Sequence, residues 1–220
     1  AMTVDGIKAT LNDYRAAAVN AREAGFSGVE VHSANGYLIN QFLDSKTNLR
    51  TDQYGGSLEN KYRFLKEVMA AVLEVWPSQR VGVRLSPNGV FNDMGSPDFR
   101  ETFLYTIKEL KKLNLAYVHI MDGLAFGFHE QGEPMTLAEF RAEYDGIIMG
   151  NCGYTRETAE ERLEAGQANL AAFGRPFITN PDLPERLKNN WPRTPYEDMS
   201  LWYTSGAQGY TDYTSYKTDP

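Results

Sequence analysis

Gly25-Phe26-Ser27-Gly28-Val29-Glu30-Val31-His32-Ser33-Ala34-Asn35-Gly36-Tyr37 is the stretch that decides how this chain folds. Val29 and Val31 alternate with Glu30 and His32, the period of a strand with one apolar and one polar face. Ahead of it, Ile7, Leu11, Tyr14, Ala18 and Ala21 recur at helical spacing, with Thr3 placed to cap that helix and Gly25 to stop it. The strand then runs straight into His32, Asn35 and Tyr37: two neutral donors and a phenol at its mouth, able to grip an oxygen and deliver a proton.

The same alternation continues outward. After a polar, glycine-containing loop over 45–56, Ser57 opens a helix with Tyr62, Leu65, Met69, Val72 and Trp76 on one face. Val81-Gly82-Val83-Arg84-Leu85-Ser86 alternates as a second strand. Ser96-Pro97-Asp98 reads as a cap with a first-turn proline before the helix of Phe99, Phe103, Ile107 and Leu110. Strands are predicted at 116–120, 146–149 and 170–173, and helices at 136–144, from Thr155 to Gly166, and from Asn180-Pro181 onward. The tyrosine-rich tail after Trp202 has weak periodicity and reads as loop and helix. The long connection over 121–134, carrying Phe126, Phe128 and His129, is either a functional closing loop or a solvated Ω-like loop.

Strands alternating with helices predict a parallel sheet with helical crossovers, the α/β class. A closed (β/α)8 TIM barrel needs eight such units and typically about 250 residues. This chain shows about five, treated as one domain over residues 1–220.

Composition narrows the function classes. The 220 residues are 42% hydrophobic and 23% charged, an ordinary globular balance with enough length for one sizeable core. A net charge of −7 argues against a nucleic-acid footprint. No apolar run approaches the roughly 18 residues of a membrane span, and the polar, helix-patterned N-terminus does not read as a signal peptide. Cys152 is the single cysteine, so no intrachain disulfide forms; a cytoplasmic setting is expected. His32, His119 and His129 lack metal-ligand spacing, so no metal is expected.

In parallel β/α folds ligands sit at the C-terminal ends of the strands, and the candidate residues fall there. His32 and Asn35 could together donate to a carbonyl oxygen and polarise a conjugated alkene, with Tyr37 as general acid; the alternative is a hydrogen-bonded core histidine followed by a turn. Arg84, alternating with Val83 and Leu85, points inward and needs a partner, either a ligand or Glu30 on the neighbouring strand. Glycines in Met149-Gly150-Asn151-Cys152-Gly153 and Ala171-Ala172-Phe173-Gly174-Arg175-Pro176 allow backbone N–H groups to approach a phosphate, and Arg175 can bind one in a forked geometry; simple turn chemistry is the alternative. Cys152 reads as an inert buried thiol.

Taken in order, the opening stretch with Leu38-Ile39-Asn40-Gln41-Phe42-Leu43, then Val81 to Pro87, the two glycine loops and Asn180-Pro181-Asp182-Leu183 resemble the Old Yellow Enzyme family of FMN-dependent ene-reductases. The resemblance runs from about Thr3 to about Tyr216. It implies a (β/α)8 barrel of which this chain carries about strands 4 to 8, the first three β/α units lying ahead of Thr3. It implies FMN as cofactor, NADPH or NADH as hydride donor, and a small activated alkene as substrate. His32 and Asn35 would hold that substrate, Tyr37 would protonate it and Tyr210 would line its pocket. Arg84 would face the flavin ring, and Gly150, Asn151, Gly174 and Arg175 would hold the phosphate. Completion by the N-terminal portion of the barrel, as a separate chain or otherwise, or self-pairing into a homo-oligomer, is then expected. The alternative is a non-catalytic half-barrel, an assembly or ligand-binding module without flavin.

Overall fold

The computed structural model describes residues 1–196, 198–203 and 205–216. Five strands, β1 (Val29–His32), β2 (Val81–Leu85), β3 (Tyr117–Met121), β4 (Ile148–Asn151) and β5 (Leu170–Ala172), form one parallel sheet in that order. Among the described residues β1 and β5 pair on one side only.

The first helix, α1 (Val4–Glu23), starts where the sequence says: Thr3 Oγ1 accepts the Gly6 N–H at 3.0 Å. It packs beside α3 (Leu58–Leu73), capped by Ser57 and burying Tyr62, Leu65, Val68, Met69 and Val72. Trp76 follows α3 and donates its indole N–H to the Ala18 carbonyl at 2.9 Å, which pins the two helices together. Under this layer lie Val31, Val81, Val83, Leu85, Val118, Ile120 and Ile148, all buried on one face of the sheet. Each fully buried aliphatic side chain contributes roughly 1.5–3 kcal/mol, so this face holds the fold together. The other face is different. A parallel sheet covered on both sides reads as continuous apolar sequence, yet here it carries Glu30, His32, Arg84, His119 and Asn151.

Helices α4 (Phe99–Lys111), α5 (Leu137–Glu143) and α6 (Arg156–Glu164) complete the crossovers, and α8 (Leu183–Asn189) follows the last strand. Thr136 and Glu139 form a capping box on α5, and Thr155 caps α6 through the Thr158 N–H. Three local expectations are corrected. The α4 cap is Asp98 rather than Ser96, and it makes no capping hydrogen bond. Its carboxylate is taken by Lys61 at 2.5 Å and Ser45 at 2.7 Å, a tertiary tie from α3 to the start of α4. Strand β4 begins two residues late, at Ile148, because Arg141 takes the carbonyls of Tyr144 and Gly146. Two short helices, α2 (Leu38–Leu43) and α7 (Arg175–Thr179), were not legible from periodicity. The tail holds a short 3-10 turn at Met199–Leu201 and otherwise turns and loop. Among the described residues, no helix is long and apolar enough to cross a membrane.

Candidate active site

The turn after β1 is built to hold two side chains up. Asn35 and Gly36 take left-handed backbone conformations, φ +57° and +67°. Position 36 requires glycine, since a Cβ there would lie 2.5 Å from both Asn92 Cβ and the Phe91 carbonyl oxygen. Four hydrogen bonds clamp the turn. The Asn35 N–H donates to Ser86 Oγ at 2.7 Å and the Gly36 N–H to Asn40 Oδ1 at 2.9 Å. Gln41 Nε2 donates to the Gly36 carbonyl at 2.7 Å, and Asn92 Nδ2 to the Asn35 carbonyl at 3.0 Å. The backbone is thus occupied, while the Asn35 carboxamide has no protein partner among the described residues. Tyr37 caps α2, is 51% exposed, and holds its ring 5.2 Å from that of His32. The predicted trio therefore shares one rim.

Strand register carries the rim inward. His32 pairs with Arg84, Arg84 with His119, His119 with Met149 and Met149 with Leu170, one row across the inner face. Arg84 Nη2 donates to Asn151 Oδ1 at 3.1 Å, and Asn151 Nδ2 donates to the Ala172 carbonyl at 2.7 Å. Asn151 is thus oriented by β5 and braces Arg84. The Glu30 partner weighed for Arg84 goes elsewhere: Glu30 Oε2 lies 3.0 Å from His119 Nδ1. Burial works to raise the Glu30 pKa, but His119, Tyr117 and Arg84 outweigh it and hold the carboxyl below its ordinary range. The Tyr117 phenol is pushed up to about 12 by burial and by Glu30. Burial, followed by the Arg84 charge, holds the His32 pKa below its usual value. Both causes favour the neutral imidazole of His32.

Beside this row opens a cavity of about 340 Å³, in the range of small-ligand pockets. Arg84, His119, Phe126, Asn151, Gly174 and Arg175 are among the residues that line it. The Arg175 guanidinium stacks 4.1 Å from the Phe126 ring centre and 5.5 Å from that of Trp202. Two buried polar atoms of these residues, Arg84 Nε and His119 Nε2, have no protein partner. Native interiors rarely leave such atoms unmet, so they mark this cavity as a candidate ligand site, whose lining also holds a second cation, Arg175, beside Gly174. Among the described residues, no cluster of His, Cys, Asp or Glu could hold a metal ion.

Not every predicted residue joins this site. Gly150 sits inside the β4 ladder, where a Cβ would meet the Tyr154 hydroxyl and Leu137 Cδ1, and it is not among the residues that line the cavity. Tyr210 is 54% exposed and also lies outside that lining. Phe126 joins the cavity, whereas His129 Nε2 donates to the Pro87 carbonyl, 3.0 Å away, and its ring packs on Phe99. Cys152 is buried, with its thiol pKa pushed up chiefly by burial. Sequence reasoning missed His119 as a site residue. The signal was present in Tyr117-Val118-His119-Ile120, which alternates as Gly82-Val83-Arg84-Leu85 does.

A parallel α/β sheet with a donor pair, a phenol and an arginine at the C-terminal ends of its strands has the layout of a ligand-binding site of its fold class. The chain belongs to the NADH:flavin oxidoreductase / NADH oxidase family, whose model matches residues 1–194. It is 39% identical over 215 residues to 12-oxophytodienoate reductase 2 of Arabidopsis thaliana, covering 97% of this chain and 58% of that protein. Among solved structures, it matches morphinone reductase with TM-score 0.91 and 39% identity, over 98% of this chain and 57% of the other. It matches the Old Yellow Enzyme homologue of Zymomonas mobilis with TM-score 0.92 and 39% identity, over 97% of this chain and 60% of the other. The chain thus spans about 60% of the length of the relatives it matches, and its five strands are part of a TIM barrel.

Proposed function

We propose that this chain provides the substrate-binding and phosphate-binding portion of an FMN-dependent oxidoreductase that reduces activated C=C bonds, in α,β-unsaturated carbonyl compounds and nitroalkenes. The observation that carries the reading is the single rim formed by His32, Asn35 and Tyr37, continuous by strand register with Arg84 and the cavity that Arg84 and Arg175 both line. FMN, when bound, supplies hydride-transfer chemistry, with NADPH or NADH as the ultimate donor. His32 and the free Asn35 carboxamide donate to the substrate oxygen and draw electron density from the β-carbon. Tyr37, exposed beside them, gives its phenolic proton to the α-carbon. Arg84 holds positive charge against the ring edge, and Asn151 fixes its direction. Gly174 and Arg175 take the phosphate.

The proposal includes three further β/α units to close the barrel, from the same polypeptide or another, and a cytoplasmic setting, in keeping with one unpaired thiol. The test is a visible absorption spectrum, followed by anaerobic mixing with NADPH and then 2-cyclohexen-1-one. It is run on the chain alone and with barrel-closing units of a relative added as a second polypeptide. Flavin bands bleached by NADPH and restored by the enone support the reading. A colourless, oligomeric protein under both conditions would support the flavin-free assembly module instead.

A further inference from the structure

The long connection from β3 to α5 brings one aromatic side chain to the cavity, and the backbone around it shows how. Buried Asn88 closes the base of this loop with a single carboxamide. Its Nδ2 donates to the carbonyls of Asp122 at 3.0 Å and Met135 at 2.9 Å, and its Oδ1 accepts the Met135 N–H at 2.8 Å. Beyond that base the loop lies against the turn that follows β4. The Gly123 N–H donates to the Asn151 carbonyl at 3.2 Å. A Cβ at Gly123 would collide with the Cys152 carbonyl oxygen, and one at Gly153 would lie 2.7 Å from Ala125 Cβ, so the close approach needs glycine on both sides. The Gly127 N–H then donates to the Leu124 carbonyl at 2.9 Å, which turns the chain back through Ala125 and Phe126. Phe126, half-exposed at this bend, meets Arg175: the guanidinium carbon is 4.1 Å from the ring centre. Trp202, whose indole N–H donates to the Tyr196 carbonyl at 2.9 Å, has its ring centre 5.5 Å from the same guanidinium. Among the described residues the guanidinium has no acceptor and no carboxylate partner, and these two rings are what it touches. A guanidinium held by its charge over a ring keeps its fork of N–H donors free for an anion.

We propose that Phe126 is a positioning residue for anion binding in this cavity, its ring holding the Arg175 guanidinium ready for a phosphate. The role presupposes the reading of Arg175 as a phosphate-binding residue. Phe126 does not touch the phosphate itself. It stands where a carboxylate would ordinarily hold an arginine. A carboxylate would occupy the N–H donors and offset the charge, whereas the face of a ring does neither. Were Phe126 only an apolar cover for the cavity, leucine would serve as well.

The experiment compares two probes, FMN and riboflavin, which lacks only the phosphate, on the protein in whichever form holds FMN. Binding is read by quenching of flavin fluorescence. The expected result is that the wild-type protein prefers FMN, that Phe126→Leu lowers this preference by roughly fivefold through weaker FMN binding alone, and that Phe126→Tyr keeps it. Equal weakening of both probes by Phe126→Leu, an unchanged preference, or an equal loss in Phe126→Tyr would overturn the role and leave the flavin reading standing. A wild-type protein that binds both probes equally overturns the phosphate assignment of Arg175 and this role with it; one that binds neither overturns the flavin reading as well. A measurement on the wild-type protein guards against a variant that does not fold. In proton spectra the Arg175 δ-methylene should show a nuclear Overhauser effect to the Phe126 ring. Its absence would refute the contact.

Discussion

Gly36→Ala is the perturbation that tests most directly whether the strand-end turn is set by packing. Alanine at φ +67° is strained by about 1–2 kcal/mol, because the left-handed region brings Cβ against the carbonyl. Its methyl would also sit 2.5 Å from the Phe91 carbonyl oxygen and from Asn92 Cβ, and 3.0 Å from Met94 Cγ. None of these is the free end of an exposed side chain, so the turn must move. Movement stretches the bonds from Gly36 to Asn40 and from Asn35 to Ser86, each contributing about 1 kcal/mol. The expected loss is about 3 kcal/mol in all. With a urea slope of about 2–3 kcal/mol/M for a chain of this size, the unfolding midpoint should fall by about 1 M. Gly56→Ala is the matched control. Its φ is +85°, but a Cβ there meets nothing within 4 Å. That substitution should cost only the backbone strain, about 1 kcal/mol. Because Asn35 and Tyr37 flank the turn, only Gly36→Ala should also impair alkene reduction. Equal midpoints for the two variants, with activity intact in both, would refute the claim that close packing fixes this turn.

The remaining tests address the chemistry and the acid limb. Tyr37→Phe should slow flavin reoxidation by an enone by about 10²–10³-fold and leave flavin reduction by NADPH unchanged in stopped-flow traces; equal slowing of both steps would remove the proton-donor role. Arg175→Ala should weaken FMN retention by at least about tenfold, since a charge-assisted contact to phosphate is lost; unchanged retention on dialysis would discredit the phosphate assignment. Lys61→Met should destabilise the fold by about 2–3 kcal/mol, because it removes the buried partner of Asp98. Burial alone would raise the Asp98 pKa, but Lys61, Ser45 and Ser96 hold it below the ordinary 3.8. Its stabilising contribution is therefore complete above that value and lost as pH falls through the lower folded-state pKa. Unfolding midpoints measured between pH 5 and pH 2 should show a flatter acid limb for Lys61→Met than for the wild-type chain, and parallel limbs would count against the pair.

The fold was legible wherever a decision is local. Thr3, Ser57 and Thr155 cap helices through their own side chains, and the strands announce themselves through Val29/Val31 and Val81/Val83 alternating with polar neighbours. It was illegible where a distant partner decides. Asp98 rather than Ser96 begins α4, and its carboxylate serves Lys61, 37 residues away. Helices α2 and α7, six and five residues long, are too short to show a period. Buried Ile39, Phe42 and Leu43 secure α2 through the core.

The site divides along the same line. His32, Asn35 and Tyr37 lie within six residues, so their common place at the end of β1 could be read from sequence. Gly150 was misplaced because Arg141 claims the Gly146 carbonyl and moves the strand, turning a supposed loop glycine into a ladder residue. His119 was overlooked because its meaning is relational: Glu30, which orients it, lies 89 residues earlier, and Gly82, which lets Tyr117 reach the same carboxylate, belongs to a third segment. Parallel register alone sets them side by side. A polar residue on the inner face of a parallel strand is therefore best judged by its neighbours in the row, and in this sheet that rule joins three separate sequence motifs into one polar row.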